Sequence, residues 1–366
     1  MRALPPGSTI GILGGGQLGR MLAMAAARLG LECHVYSDSS GPAFDVAKTT
    51  TVGRFEDLDA IRTFAKSVDV ITYEFENVPL SAAAAAAEFT PVRPGPKALE
   101  VAQDRLVEKR FLAHLDLAVA PFAEVSSKTD LIAGLQTIGT PAILKTTRLG
   151  YDGKGQVRLL DAQDPSWALG AIDHAPAVLE GIIDFAYEVS VLAVRGGDGQ
   201  CRFYDIPLNT HRNSILDTSS VPAPLPESRI EQARSIARTI ATALDYVGVL
   251  AVELFYLGDE ASPAFIVNEI APRVHNSGHW TLDACAVCQF ENQIRAVAGW
   301  PLGPTSRHSD ARMTNLIGRD VDAWIDLASG GKHGDEEGCL HLYGKNEARP
   351  GRKMGHITHL DPQKSG

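Results

Sequence analysis

Apolar positions near the N-terminus fall in short runs separated by segments of helical period. Residues 9–13 (TIGIL) read as a strand, 14–16 as a glycine turn and 18–29 as an amphipathic helix, with further strands over 33–36 and 68–72. That alternation predicts a parallel sheet with helices on both faces. The alanine run 82–87 is a helix too short and too weakly apolar to enter a bilayer. After the proline-rich stretch 91–96 the pattern predicts helices over 104–114 and 129–138. Short strands separated by glycine-rich turns then follow over 142–146, 157–160, 177–179, 187–194 and 201–206. A long helix over 227–244 leads into the strand 248–256 (GVLAVELFY). The turn-rich segment 258–263 predicts that this strand pairs as a hairpin with the run that ends near residue 270. A tail of mixed strands and loops spans 312–360.

Two acids break this apolar hairpin. Val252 and Leu254 bracket Glu253, while Ile266, Val267 and Ile270 surround Glu269. A lone desolvated carboxylate is costly, so such acids pair, neutralise or bind metal. Brought together they repel unless a divalent cation lies between them, and oxygen ligands favour magnesium. The segment after Pro272, with Arg273, His275, Asn276 and His279, supplies donors for an anion. The plain alternative is two acids on a solvated sheet face.

A second cluster follows the strand PAILK. Lys145 ends it, and Gly150, Tyr151, Asp152, Gly153, Lys154, Gly155 and Gln156 form a glycine-rich loop whose amides can wrap phosphate oxygens. Lys145 and Lys154 can add point charges to the same phosphates. The Gly-Lys-Ser/Thr ending of a Walker loop is missing. Glu180, at the end of an apolar strand and before Gly181, Ile182 and Ile183, suits an adenine slot, and Glu188 a ribose. Taken singly, each is an ordinary strand acid. A rival reading starts from Gly14-x-Gly16-x-x-Gly19 with Asp38, which matches a dinucleotide fingerprint.

Composition narrows the classes. With 366 residues, 45% hydrophobic and 21% charged, the chain is expected to be a soluble globular protein of two or three domains. Its net charge of −10 argues against a broad nucleic-acid surface. No apolar run spans a bilayer and no secretory signal opens the chain, so cytoplasmic residence is the expectation. Five scattered cysteines do not form a disulfide framework, and Cys285-x-x-Cys288 reads as buried helical thiols.

Taken together, Lys145, the 150–156 loop, Glu180, Glu188, Glu253 and the Asn268-Glu269 pair resemble the ordered landmarks of the ATP-grasp superfamily. Within it, the stretches 73–79 (YEFENVP), 150–156 (GYDGKGQ), 271–279 (APRVHNSGH), 14–20 (GGGQLGR) and 352–356 (RKMGH) are similar to the ligases that carboxylate an aminoimidazole ribonucleotide in purine biosynthesis. The match covers nearly the whole chain, with Val274 standing where relatives often carry proline. The resemblance implies α/β and α+β architecture. A Rossmann-like domain would cover 1–95, and an ATP-grasp domain of two α+β subdomains 96–300, with a flexible lid about 120–185. A small mixed-β domain would cover 301–366. It implies ATP and one or two magnesium ions as cofactors, bicarbonate and the ribonucleotide as substrates, and a homodimer.

The implied roles are residue-specific. Arg105 and Lys145 would meet ATP phosphates under the 150–156 lid loop. Glu180, Gly181, Ile182, Ile183, Glu188 and His211 would hold adenine and ribose, and Glu253 and Glu269 would hold magnesium with Asn268 close by. A regular pleat sets Asn268 and Glu269 on opposite faces, so both reach the site only if the strand bends at its end, as Ala271-Pro272 permits. Gln17, Glu76, Tyr151, Asn276 and Ser277 would contact the ribonucleotide, with Arg352 and Lys353 near its phosphate. Arg273 and Lys154 would stabilise transferring charge, and His275 or His279 would move protons. Three rivals remain at this level: a nicotinamide-dependent oxidoreductase, a non-catalytic nucleotide sensor, and an ATP-grasp ligase for another acceptor.

Overall fold

The computed structural model describes residues 2–150, 153–160, 165–329 and 338–363. Strands β1 (Thr9–Leu13), β2 (Glu32–Ser37), β3 (Thr49–Val52) and β4 (Val70–Tyr73) form a parallel sheet in the order β3-β2-β1-β4. Ile10, Ile12 and Val70 pack beneath Leu18 and Leu22 of the helix Gln17–Arg28. Leu13 and Ile71 join a separate cluster with Ile61, Phe64 and the alanine face of Leu80–Ala87. The sheet is therefore covered on both faces, as its run of apolar strands requires.

The glycine fingerprint serves this fold in an unexpected way. Glu74, just past β4, turns its buried carboxylate onto the N-terminus of Gln17–Arg28. It accepts hydrogen bonds from the amides of Gly16 and Gly19, the second at 2.7 Å. Gly14 (φ +113°) and Gly16 make room for it, since a Cβ at either position would lie 2.4 Å or 2.6 Å from Glu74 atoms. An internal carboxyl group thus fills the place that a dinucleotide pyrophosphate would need. The oxidoreductase reading of this motif is overturned. Glu74→Ala should leave two amide donors without their acceptor and cost about 2–3 kcal/mol, seen as a lower urea midpoint at unchanged m-value.

Strands β5 (Phe122–Val125), β6 (Ala142–Thr146), β7 (Gln156–Leu159) and β8 (Ala177–Gly181) form an antiparallel sheet ordered β5-β8-β6-β7. The helix Lys128–Ile138 seals one face of it through Leu131 and Leu135 against Leu144 and Leu179. The largest sheet contains β9 (Tyr187–Arg195), β10 (Cys201–Phe203), β11 (Leu208–Arg212), β12 (Ile215–Val221) and β13 (Gly248–Tyr256). It is completed by β14 (Phe265–Ala271), β15 (Asp310–Ile317), β16 (Gly338–Leu342) and β17 (Lys353–Asp361). Its order is β14-β13-β9-β11-β12-β15-β17-β16, with β10 on β9. The tail strands extend this sheet directly, because β15 pairs with β12. Ala233, Ala237 and Ile240 of the helix Glu227–Ala243 pack on one face, and Phe290 and Ile294 of Gln289–Val297 on the other.

Some local expectations shift. The strand expected over 201–206 is regular only through Phe203, and β5, β11 and β12 lie in segments whose polar alternation masked them. The Cys285/Cys288 pair is not helical. The helix Thr281–Ala284 ends before Cys285, whose backbone is extended, and Cys288 caps the next helix. Both thiols are nonetheless buried and free. No helix among the described residues is long and apolar enough to cross a membrane.

Candidate active site

The three sheets meet around one cavity of about 1140 Å³. Every candidate site residue among the described ones lines it, except Gly155 and Ser277. Tyr151 and Asp152 lie outside the described residues.

The acid-bearing hairpin forms its floor. β13 and β14 pair antiparallel with Glu253 directly opposite Glu269. The register then slips: Glu269 faces Glu253 while Val267 faces Leu254, so Asn268 is the extra residue of a β-bulge. The bulge, not a bend at Ala271-Pro272, turns both Asn268 and Glu269 toward the cavity. Glu269 Oε2 accepts from Arg105 Nη1 at 3.0 Å. Burial opposes its charge, but the guanidinium more than offsets this and holds the carboxyl below its ordinary value. Burial and the facing Glu269 push Glu253 up to about 7. Two oxygen donors that resist sharing negative charge fit a divalent cation.

Beneath Arg105 the same helix, Arg105–His114, contributes residues that the sequence did not single out. Lys109, only 2% exposed, and Lys145 each place Nζ 3.1 Å from Glu180 Oε2. The Glu180 Oε1 is buried with no hydrogen-bond partner. An acceptor with no donor, at the edge of a slot walled by Ile143, Ile182 and Phe185, fits an exocyclic amine of a base. Phe185 stacks on Phe255 at 4.6 Å and stiffens that wall. Nearby, His211 Nδ1 pairs with Glu188. Burial works against the imidazolium, yet the Glu188 hydrogen bond and charge raise His211 above its usual value. Glu108 accepts from the Ile270 amide at 2.6 Å and pins the strand just after the bulge. Burial and Glu269 push its carboxyl up to about 8. The i, i+4 spacing of Arg105 and Lys109 was the available signal for a functional helix face.

The loop 273–279 closes the opposite wall. Arg273 Nε donates to Glu76, so the acid expected at the ribonucleotide is held by an internal cation. Burial disfavours both charges, but their pairing holds Glu76 down at about 2 and Arg273 above its ordinary value. His275 Nε2 lies 3.2 Å from Glu253 Oε1, and its Nδ1 lies 2.9 Å from Ser277 Oγ. Ser277 is fully buried and bonded onward to Ser190 at 2.7 Å. The expectation that Ser277 touches substrate is corrected: its hydroxyl orients His275 from behind. Burial, Arg273 and Lys353 push His275 down to about 3, and burial pushes His279 far below its usual range. Both shifts favour the neutral imidazole, the form that can accept a proton but not donate one. Gln289 binds both the amide and the carbonyl of His275 and also reaches His279 Nδ1. Asn276 and Asn315 exchange paired amide hydrogen bonds at 2.7 and 2.9 Å, tying the loop to β15. Arg352, anchored on the Glu347 carbonyl, and Lys353 bring the tail to the cavity rim.

A two-subdomain clamp over a carboxylate pair, with lysines at the same cavity, defines an ATP-grasp enzyme. Family models agree: the ATP-grasp domain matches residues 110–290 and the ribonucleotide synthetase preATP-grasp domain 8–103. The phosphoribosylaminoimidazole carboxylase C-terminal domain matches 311–365. The N5-carboxyaminoimidazole ribonucleotide synthase of Brucella melitensis is 51% identical over 99% of this chain and 98% of its own length. The Thermus thermophilus N5-carboxyaminoimidazole ribonucleotide synthetase superposes with a TM-score of 0.88 at 44% identity, covering 96% of this chain and 93% of its own. A similar structure from Aspergillus clavatus, in complex with ADP and 5-aminoimidazole ribonucleotide, gives 0.89 at 30% identity over 98% and 95% of the two chains. The chain belongs to the N5-carboxyaminoimidazole ribonucleotide synthase family, the ATP-dependent ligases that carboxylate an aminoimidazole ribonucleotide in purine biosynthesis.

Proposed function

We propose how the cavity residues divide the work of this reaction. The observation that carries the reading is the Glu253/Glu269 pair, presented across a bulge beneath Arg105 and Lys145. Adenine enters the Ile143–Ile182–Phe185 slot, where Glu180 Oε1 accepts its exocyclic amine, and Glu188 with His211 takes the ribose. The triphosphate then runs toward Arg105, Lys145 and the lid residues Gly150, Gly153 and Lys154. Glu253, Glu269 and Asn268 fit magnesium, which when bound neutralises charge on the transferring phosphoryl group.

An oxygen of bicarbonate attacks the γ-phosphorus, the bond to the ADP oxygen breaks, and carboxyphosphate forms. Arg273, held in place by Glu76, offers its guanidinium to this anion. His275 keeps Glu253 oriented through its Nε2 contact. Carboxyphosphate then breaks into carbon dioxide and phosphate. The exocyclic amine of 5-aminoimidazole ribonucleotide adds to the carbon and passes its proton to the liberated phosphate, a base of suitable strength. Closure of the lid aligns the first step and retains the small neutral intermediate for the second. Gln17 and Asn276 face the ribonucleotide, with Arg352 and Lys353 at its phosphate. The resemblance also supports a cytoplasmic homodimer, and light scattering of purified protein tests the assembly.

The discriminating experiment is phosphate release from ATP, measured with and without bicarbonate and the ribonucleotide. Release that requires both supports the reading, whereas release indifferent to the ribonucleotide points to another acceptor. A nucleotide sensor would bind ATP and release none. In the same assay Lys353→Ala should raise the KM for the ribonucleotide about 10-fold or more with little change in the KM for ATP. An unchanged ribonucleotide KM would remove the tail from the substrate site.

A further inference from the structure

Behind the 273–279 loop, outside the residues that line the cavity, lies a cluster that the reaction does not use. Asp283 comes from the helix Thr281–Ala284, His341 from β16 and His356 from β17. Each offers a donor atom within 4.8 Å of the others. His341 and His356 are direct cross-strand partners, and their rings stack at 4.5 Å with 11° between planes. His341 Nε2 lies 3.0 Å from both carboxylate oxygens of Asp283. His356 is fully buried: its Nδ1 is taken by the Tyr343 hydroxyl at 2.9 Å, and its Nε2 has no hydrogen-bond partner.

An imidazole nitrogen buried without a partner is costly, and a ring held through one nitrogen with the other left over is how ligating histidines are prepared. Cys339, two residues before His341 on the same face of β16, lies against Asp283 and adds a soft donor to the neighbourhood. Nitrogen, oxygen and sulfur donors in that mixture suit zinc-class ions far better than magnesium.

We propose that Asp283, His341 and His356 form a site for a divalent transition metal of the zinc class, separate from the nucleotide-linked carboxylate pair. Binding replaces the proton shared between His341 and Asp283 with the ion, and the proton leaves to solvent. The ion would then tie the tail strands β16 and β17, which carry Lys353 to the cavity, onto the helix that follows the 273–279 loop. Its effect is a staple between two parts of the chain that are distant in sequence.

The test uses the full chain carrying Glu269→Ala, which disables the competing carboxylate pair, dialysed free of metal and kept in saturating Mg²⁺. Titration with Zn²⁺ against a chromophoric chelator should show one tight equivalent, and Zn²⁺ should raise the Tm. His341→Ala in that background should weaken the site about 100-fold and abolish the Tm shift. Asp283→Asn, which keeps the side-chain shape, should weaken it as well and guards against a variant that misfolds. Co²⁺ in place of Zn²⁺ should give a tetrahedral absorption band that both variants lose. No binding in the parent, or the same binding in both variants, overturns the site and leaves a hydrogen-bonded Asp–His pair.

Discussion

Glu269→Ala should lower ribonucleotide-dependent phosphate release by about 10³-fold or more while leaving the fold intact. The fold survives because the lost group is one of two like charges facing each other across β13 and β14, so its removal relieves repulsion. Arg105 loses its 3.0 Å partner but stays partly open to solvent. Activity does not survive, because Glu253 alone cannot grip the cation that screens the transferring phosphoryl group. Circular dichroism and the Tm should match the parent, and raising Mg²⁺ should not restore turnover. Near-normal kcat at saturating Mg²⁺ would move the metal away from this pair and undo the assignment.

Arg273→Ala carries the second large effect, with two separable parts. Loss of the guanidinium from the developing anion should reduce kcat about 10²- to 10³-fold. Loss of the partner also strands Glu76 in a largely buried position, at about 3 kcal/mol in stability. The double variant Glu76→Gln/Arg273→Ala should recover most of that stability and none of the activity, which separates the two roles. Acid titration gives a further check. Pairing lowers Glu76 from its ordinary 4.5 to about 2 in the folded protein. Its contribution is therefore complete above pH 4.5 and is lost as the pH falls toward 2. Arg273→Ala should flatten that segment of the stability curve. A double variant with restored turnover would show that Arg273 serves folding alone.

Much of the chemistry was legible because it rests on residue types in unusual company. Glu253 and Glu269 inside apolar strands pointed to a shared site, and the fold sets them face to face; Lys145, before a glycine-rich loop, lines the same cavity. The hairpin that joins the acids followed from the turn between two apolar runs. What misled was local pattern without its partner. Gly14, Gly16 and Gly19 look like a cofactor loop until Glu74, 55 residues beyond Gly19, fills it. Ser277 sits among substrate-facing neighbours in sequence, but the turn at 276–278 buries it. Glu108 and Lys109 were passed over because a charged helix face is ordinarily solvated, and only the packing of that helix under β14 desolvates them.

By itself, then, the order of residues determined which side chains could bind nucleotide and cation, since hydrophobic period and charge cost are properties of short segments. The three-dimensional arrangement decided which of them meet and in what protonation state. The bulge at Asn268 turns two adjacent residues into one cavity, and Arg105 and Arg273 hold Glu269 and Glu76 ionised. The Asp283, His341 and His356 cluster exists only because β17 returns beside β16. Each of these depends on contacts between distant segments, and on the local dielectric those contacts create, so no window along the chain contains them.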